Sequence, residues 1–280
     1  MKPLGRFGFV RIAAGTLLIS LSLLLGSAAA GTFPVSNPKG LTLDSKGNLY
    51  VANFASNQVL VYSPAYAQLT SKTISTNVSG PSAVAFDPTG NLWVANNTSN
   101  SITEYAPIGT QVPGATLTYQ ISDPQAMAID GLGDVWVQDG FSSVSVYAAY
   151  QTAPFLTFPV SPVNGANGIA TYEMAGAVGS NANVEVFEIS LLLSNQAGAG
   201  VLASPCFSLA FDSAFNLYCG NIDSTLSVFS KSGLKTLAKL PFFPAGLAVD
   251  SARGRIYIAG GTANEIAVYS LSGKQIHKIQ

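Results

Sequence analysis

Four polar side chains occupy the same point of a repeated pattern, and they are the residues best placed to do chemistry. Each one ends a five-residue, mainly apolar stretch: Asn53, Asn96, Asp139 and Asn221. Amide and carboxylate oxygens are the ligands that calcium prefers, and Asp123 could add a second carboxylate. The alternative is that these side chains only brace loops at the ends of strands, where Asn and Asp commonly bond the backbone. Because only two carboxylates are available, we favour loop bracing and keep a calcium site as the alternative.

Nucleophilic and general-base catalysis lack their usual partners in this chain. A Ser-His-Asp triad or an activated cysteine requires an imidazole beside the nucleophile. The one histidine, His277, stands three residues from the C-terminal end, in a segment predicted to be an outer strand. We therefore expect a protein that binds rather than catalyses, with no bound cofactor.

Two cysteines, Cys206 and Cys219, fall on consecutive predicted strands of one repeat. The predicted hairpin places Cys219 opposite Leu209, so an offset of about three residues would separate the two Cα atoms by ~10 Å. A disulfide needs a Cα separation below about 7 Å. The spacing favours two buried thiols, whereas an oxidising environment outside the cytoplasm would favour a disulfide.

The first thirty residues have the pattern of a secretory signal. Three basic residues precede an apolar run over residues 12–25, and small residues follow up to Ala30. We expect cleavage after Ala30, so that the signal peptide is 1–30 and the mature protein, residues 31–280, is secreted or periplasmic.

Charge and hydropathy exclude two classes of partner. Without the signal, ten basic residues stand against fourteen acidic ones, a net charge of −4. A nucleic-acid binder needs a basic stripe to face the phosphates, and no such stripe is present. No other stretch is long and apolar enough to cross a bilayer as a helix. We expect a monomer whose partner is a protein or a glycan.

The elements that position these side chains come from a segment that occurs six times. Its turn positions are Asp44, Asp87, Asp130, Tyr172, Asp212 and Asp250, at spacings of 43, 43, 42, 40 and 38 residues. Strands such as 49–52 and 59–62 are apolar at nearly every position, so both faces of each sheet must be covered. Radially packed blades of about 40 residues meet this requirement. We predict an all-β fold, a six-bladed β-propeller with four-stranded antiparallel blades around a central channel.

The aspartates of the turns need no ligand to explain them. Asp44 and Asp87 can accept hydrogen bonds from the backbone of the turn that follows, and Gly47 and Gly90 can adopt the positive φ that such turns require. We interpret the repeated aspartates as structural.

Three runs of sequence resemble the NHL-type propeller repeats: GLTLDSKGNLYVANFASNQVLVYS, AVAFDPTGNLWVANNTSNSITEYA and GLAVDSARGRIYIAGGTANEIAVYS. The resemblance implies a six-bladed propeller related to gluconolactonase-like and streptogramin-lyase-like proteins. Lactonase-like relatives bind a divalent cation. In this chain the resemblance implies that its ligands would be Asp139 or Asp123, together with the amide oxygens of Asn53, Asn96 and Asn221. Lyase-like relatives depend on a histidine base, and His277 is wrongly placed for that role.

In a propeller, the start of each first strand and the end of each second strand share one face, at the channel mouth. The residues at the starts of the first strands are Lys39, Ser82, Gln125, Asn167, Phe207 and Ala245. The predicted ligand-binding set is Asn53, Phe54, Asn96, Gln125, Asp139, Phe141, Asn167 and Asn221. We expect an exported binding or interaction scaffold, with a metal-dependent gluconolactonase-like hydrolase and a structural envelope component as the alternatives.

Overall fold

A computed structural model describes most of the chain after the predicted signal. The described residues are 33–107, 109–140, 143–149, 151–159, 168–173, 175–179, 184–188, 200–202 and 205–280. The predicted signal peptide, Phe141 and Asn167 lie outside them. The described part contains antiparallel strands, no α-helix, and three short 3-10 helices at Phe54–Ser56, Thr70–Lys72 and Gly261–Ala263.

The strands form six antiparallel sheets, each built from strands that are consecutive in the chain. The first sheet contains β1 (Pro38–Leu43), β2 (Leu49–Asn53) and β3 (Gln58–Tyr62). The second contains β4 (Pro81–Phe86), β5 (Leu92–Asn96), β6 (Ser101–Tyr105) and β7 (Gln111–Leu117). The third contains β8 (Pro124–Ile129), β9 (Val135–Asp139), β10 (Ser143–Tyr147) and β11 (Leu156–Pro159).

The other three sheets follow the same up-and-down order. The fourth sheet contains β12 (Gly168–Tyr172), β13 (Ala175–Gly179), β14 (Val184–Glu188) and β15 (Gly200–Leu202). The fifth contains β16 (Cys206–Phe211), β17 (Leu217–Asn221), β18 (Thr225–Ser230) and β19 (Gly233–Lys239). The sixth contains β20 (Gly246–Asp250), β21 (Arg255–Ala259), β22 (Ile266–Ser270) and β23 (Gln275–Ile279).

The first sheet departs from the predicted four strands because it has only three. On the free side of β3, single bridges join Val59 to Ile74 and Tyr62 to Gln68. The 3-10 helix Thr70–Lys72 lies between the two bridged positions and interrupts what would otherwise be a fourth strand.

The first strands of the six sheets form a closed ring. Contacts run from β1 to β4, β8, β12, β16 and β20 in turn, and from β20 back to β1. The backbones come close together in this ring: a Cβ added at Gly40 would lie 2.6 Å from the Cα of Ala83, and one at Gly246 would collide with the carbonyl of Lys39. The predicted all-β propeller is therefore confirmed.

Apolar clusters lie between consecutive sheets, as the two-sided apolar strands require. One cluster joins Tyr50 and Val61 of the first sheet to Val84 and Tyr105 of the second. Another joins Trp136 of the third sheet to Ile169 and other residues of the fourth. Each large side chain buried in this way contributes about 1.5–3 kcal/mol, so the ring is held by its sheet-to-sheet packing.

The repeated aspartates stabilise the hairpin turns between first and second strands. In the second sheet, Asp87 Oδ1 accepts hydrogen bonds from the amides of Thr89 and Asn91, both at 2.9 Å. Its Oδ2 accepts one from Trp93 Nε1 at 3.0 Å. Gly90 has a φ of +89°, as predicted for this turn. The structural interpretation of these carboxylates is confirmed.

The expectation of two free thiols is wrong, because Cys206 and Cys219 form a disulfide with their Cα atoms 5.5 Å apart. The predicted pairing of Cys219 with Leu209 is correct. However, a β-bulge follows Cys206, so three steps along β16 match only two along β17. The bulge brings Cys206 opposite Asn221, so that Cys206 and Cys219 are diagonal neighbours on adjacent strands. The predicted Cα separation was too long because it assumed a uniform rise per residue without a bulge.

Candidate functional site

A cup opens at one end of the channel, at the starts of the first strands. Its volume is about 190 Å³ and it is lined by Asn37, Lys39, Ser82, Gln125, Phe207, Phe243, Ala245, Gly260, Gly261 and Thr262. Five of the six residues predicted at the starts of the first strands are in this lining. The sixth, Asn167, lies outside the described residues. Of the predicted ligand-binding set, Gln125 is in this lining, whereas Asn53, Phe54, Asn96, Asp139 and Asn221 are not.

β-bulges explain why these particular residues line the cup. The first strands β1, β4, β8 and β16 each pair with the second strand of their own sheet. In each of them, one or two residues directly after the first position have no partner in that pairing. These residues include Lys39, Ser82, Gln125 and Phe207. A bulged residue is freed from the strand's regular alternation, so its side chain can be directed differently from its neighbours. Sequence spacing alone did not reveal these bulges.

Below the cup the channel narrows. The narrow section has a volume of about 80 Å³, and the small residues Gly40, Ser208 and Gly246 are part of its wall. A wider section of about 330 Å³ follows, lined by first-strand residues that include Leu41, Val84 and Met127. Ser82 and Gln125 line both the cup and the narrow section, so the two spaces are continuous.

Among the described residues that line the cup, only Lys39 carries a positive charge. Its side chain is half-buried, and burial lowers its pKa below the ordinary value of 10.5, with the charge of Asp123 acting in the opposite direction. The ammonium lies 3.7 Å from the centre of the Phe54 ring, a cation–π geometry. Neither of the two ion pairs found in the described part of the chain involves Lys39.

The rest of the cup combines an aromatic wall with a free amide. The rings of Phe207 and Phe243 pack edge to face with centroids 4.3 Å apart. Ser82 donates its hydroxyl hydrogen to the carbonyl of Pro124 at 2.6 Å, which leaves it no hydrogen for a ligand. The side-chain amide of Gln125 forms no hydrogen bond within the described residues, so it can both donate to and accept from a ligand.

The three repeated asparagines lie next to the cup but are buried and do not line it. Asn53 and Asn96 accept hydrogen bonds from the amides of Ser36 and Ser79, at 2.7 and 3.0 Å. Asn221 donates to the hydroxyl of Ser227 at 2.7 Å. The first two contacts hold the segments that lead into β1 and β4, and the third joins β17 to β18 within one sheet. This is the bracing role that the sequence favoured.

Asp139 occupies the fourth of these positions and is less well satisfied. Its Oδ1 accepts a hydrogen bond from the amide of Ser122 at 3.3 Å, whereas its buried Oδ2 has no partner among the described residues. Burial raises the pKa of Asp139 from 3.8 to about 6, against opposing effects of the Ser145 hydroxyl and the Ser122 amide. Asp123 lies in the preceding loop, where its Oδ1 accepts a hydrogen bond from Asn97.

The donor set fits a calcium site poorly. The amide oxygens of Asn53 and Asn96 already accept backbone hydrogen bonds, and a cation would have to displace them. No cluster of three or more His, Cys, Asp or Glu side chains suited to a metal occurs among the described residues. We therefore derive no chemistry through a metal.

No family model and no curated protein matches the chain. Solved structures do resemble it. A streptogramin B lyase superposes with a TM-score of 0.60 at 14% identity, covering 89% of this chain and 85% of the lyase. The hydrazine synthase of Kuenenia stuttgartiensis superposes with a TM-score of 0.62 at 14% identity, covering 87% of this chain and 79% of the synthase chain. Virginiamycin B lyase from Staphylococcus aureus superposes with a TM-score of 0.57 at 13% identity, covering 87% of this chain and 84% of the lyase.

These likenesses support the β-propeller fold. At 13–14% identity they carry no activity over to this chain. His277, the one histidine, lies on β23 and stacks on Tyr66 with ring centroids 4.0 Å apart. It is not part of the cup lining, as the sequence predicted. Within the described residues, no helix has the length and apolar character that crossing a membrane would require.

Proposed function

We propose that this protein is an exported, six-bladed propeller of the NHL type that binds a ligand in the cup without catalysing a reaction. The observation that carries the proposal is the convergence of side chains from separate sheets on one cup: a lysine, a free amide and an aromatic wall. Pockets that combine an apolar wall with a few fixed polar groups are the usual form of a ligand site.

The groups in the cup favour binding over catalysis. A hydrolase or lyase needs a base or nucleophile within reach of the substrate. Among the described residues of the cup lining none is His, Cys, Asp or Glu, and the one lysine, Lys39, has its ammonium over the Phe54 ring. The disulfide between Cys206 and Cys219 agrees with a location outside the cytoplasm, where such bonds persist. The hydrolase alternative would need Asp139 or Asp123, and both lie outside the lining.

The size of the cup sets the scale of the ligand. Its 190 Å³ is room for about six water molecules at ~30 Å³ each. A single ring with one polar substituent fits this volume. A larger partner, such as a peptide or a glycan, would place only one residue or one terminal group in the cup.

The test is a comparison of two alanine-to-tryptophan variants. Ala245 lines the cup, so Ala245→Trp should fill it. Ala214 is exposed in the hairpin turn after β16, at the other end of its sheet, so Ala214→Trp is a matched control. Binding of benzamide, phenol and benzyl alcohol would be measured by saturation-transfer NMR.

We expect at least one of the three compounds to bind both wild type and Ala214→Trp, and to lose its signal with Ala245→Trp. Thermal melting of all three proteins would establish that each is folded. Binding that survives in Ala245→Trp, or no binding of any compound to the wild type, would contradict the proposal.

A further inference from the structure

Lys39 has an environment that structural packing does not fully explain. A half-buried ammonium loses part of its hydration, and proteins normally compensate for this with a carboxylate or several hydrogen-bond acceptors. Here the described surroundings supply the face of the Phe54 ring and no ion pair. Asp123 is the carboxylate whose charge acts on Lys39, and it is already engaged by Asn97.

The position of Lys39 makes this environment relevant to a ligand. Its side chain belongs to a bulged segment of β1 and lines the cup together with the Phe207 and Phe243 rings. A ligand held against those rings would therefore lie beside the Lys39 side chain, whose ammonium is over the Phe54 ring. Gln125 adds a free amide that can donate to an oxygen of the ligand.

We propose that the cup selects ligands carrying a carboxylate on a small apolar or aromatic body, and that Lys39 is the residue that recognises the carboxylate. This inference rests on the proposed binding function and specifies its ligand class. The carboxylate would complete the missing ion pair of Lys39, and the apolar body would pack against Phe207 and Phe243. Such a carboxylate could belong to a free organic acid or to the C-terminal end of a peptide.

The test compares benzoate with benzamide, two probes of nearly the same shape that differ in charge. Titration calorimetry at low salt and pH 7 would give their affinities for the purified protein. A hydrogen bond assisted by charge is strong enough that benzoate should bind about tenfold or more tightly than benzamide. N-acetylphenylalanine and its amide, measured in the same way, show whether a peptide end is accepted.

Three lysine variants separate recognition by Lys39 from general effects of charge. Lys39→Met should reduce the benzoate affinity about tenfold or more and leave benzamide unchanged. Lys39→Arg keeps the charge and should keep a preference for benzoate. Lys46→Met removes an exposed charge from a hairpin turn at the opposite end of the first sheet and should change neither affinity.

The outcomes distinguish this inference from the proposed function beneath it. If benzamide binds as tightly as benzoate and Ala245→Trp abolishes both, the cup binds ligands but does not select carboxylates, and the inference fails alone. If Lys39→Met retains the full preference for benzoate, the assignment of Lys39 is wrong. If benzoate does not bind at all, the inference is overturned. Tighter binding of N-acetylphenylalanine than of benzoate identifies a peptide end as the source.

Discussion

Replacing Asp139 with asparagine should stabilise the protein at neutral pH. The equivalent positions carry Asn53, Asn96 and Asn221, whose amide groups donate hydrogen bonds that a carboxylate cannot. Asn96 donates to Thr103 and Asn221 to Ser227, at 3.1 and 2.7 Å. Ser145 holds the corresponding place beside Asp139. In the Asp139→Asn variant, the new amide can donate to that hydroxyl, and no charge is buried.

The magnitude follows from the raised pKa of Asp139. A shift from 3.8 to about 6 corresponds to about 3 kcal/mol at ~1.4 kcal/mol per pH unit. The carboxyl is partly exposed, so solvent screening reduces this figure to about 1–2 kcal/mol. The Asp139 carboxyl binds its proton more tightly in the folded protein than in the unfolded chain. Protonation of Asp139 therefore contributes its full stabilisation of the wild type below pH ~4, and this contribution is lost as the pH rises through about 6.

The assay is urea unfolding of the wild type and Asp139→Asn at pH 4 and pH 7.5. We expect the variant to gain about 1–2 kcal/mol at pH 7.5 and close to nothing at pH 4. Asp223→Asn, which removes the same charge from an exposed turn, is the control and should change stability by less than about 0.5 kcal/mol. A destabilised Asp139→Asn variant, or an equal gain at both pH values, would refute the reasoning.

Three further predictions concern the disulfide, the turns and calcium. Replacing both Cys206 and Cys219 with alanine should lower the free energy of unfolding, relative to the oxidised wild type, by about 2–3 kcal/mol, because the bond closes a loop with a sequence separation of 13 residues. Unfolding in urea would measure this loss, reduction of the wild type should lower its stability by a similar amount, and no change in either comparison would contradict the bond. Asp130→Ala should cost about 2–4 kcal/mol in the same assay, because the carboxylate accepts hydrogen bonds from two turn amides and from Trp136, and a loss below about 1 kcal/mol would contradict the structural role. Adding calcium or a chelator should not move the melting temperature, since the Asn53 and Asn96 oxygens are engaged, whereas micromolar calcium binding lost in Asp139→Ala would restore the hydrolase alternative.

The repeat predicted the architecture because its signals are redundant. Apolar strands, Asp-containing turns and a spacing near 40 residues recur several times, so one degenerate copy at Tyr172 did not obscure the ring. The place of the cup followed from the same argument, since the starts of the first strands must meet around the axis. This argument named Lys39, Gln125 and Phe207 at the starts of the first strands, although only Gln125 was in the predicted ligand-binding set.

Local irregularities were not predictable from the repeat. The bulge after Cys206 inserts one residue into β16, and no residue type in that segment announces it. Phe243 lines the cup from the loop before β20, where no strand pattern places it. Phe215 takes a turn position that is glycine in other copies and has a φ of +63°. The roughly 1–2 kcal/mol cost of that conformation is partly offset by stacking on Phe211, with centroids 5.1 Å apart.

Backbone hydrogen exchange with and without bound ligand tests most directly whether the cup is the binding site. The probe would be benzoate or benzamide, whichever binds more tightly, at a concentration that saturates the protein. We predict slower exchange in residues 37–40, 80–83, 205–208 and 242–246, which surround the cup. Slower exchange confined to the hairpin turns 44–48, 87–91 and 212–216, at the other ends of the first strands, would contradict the account.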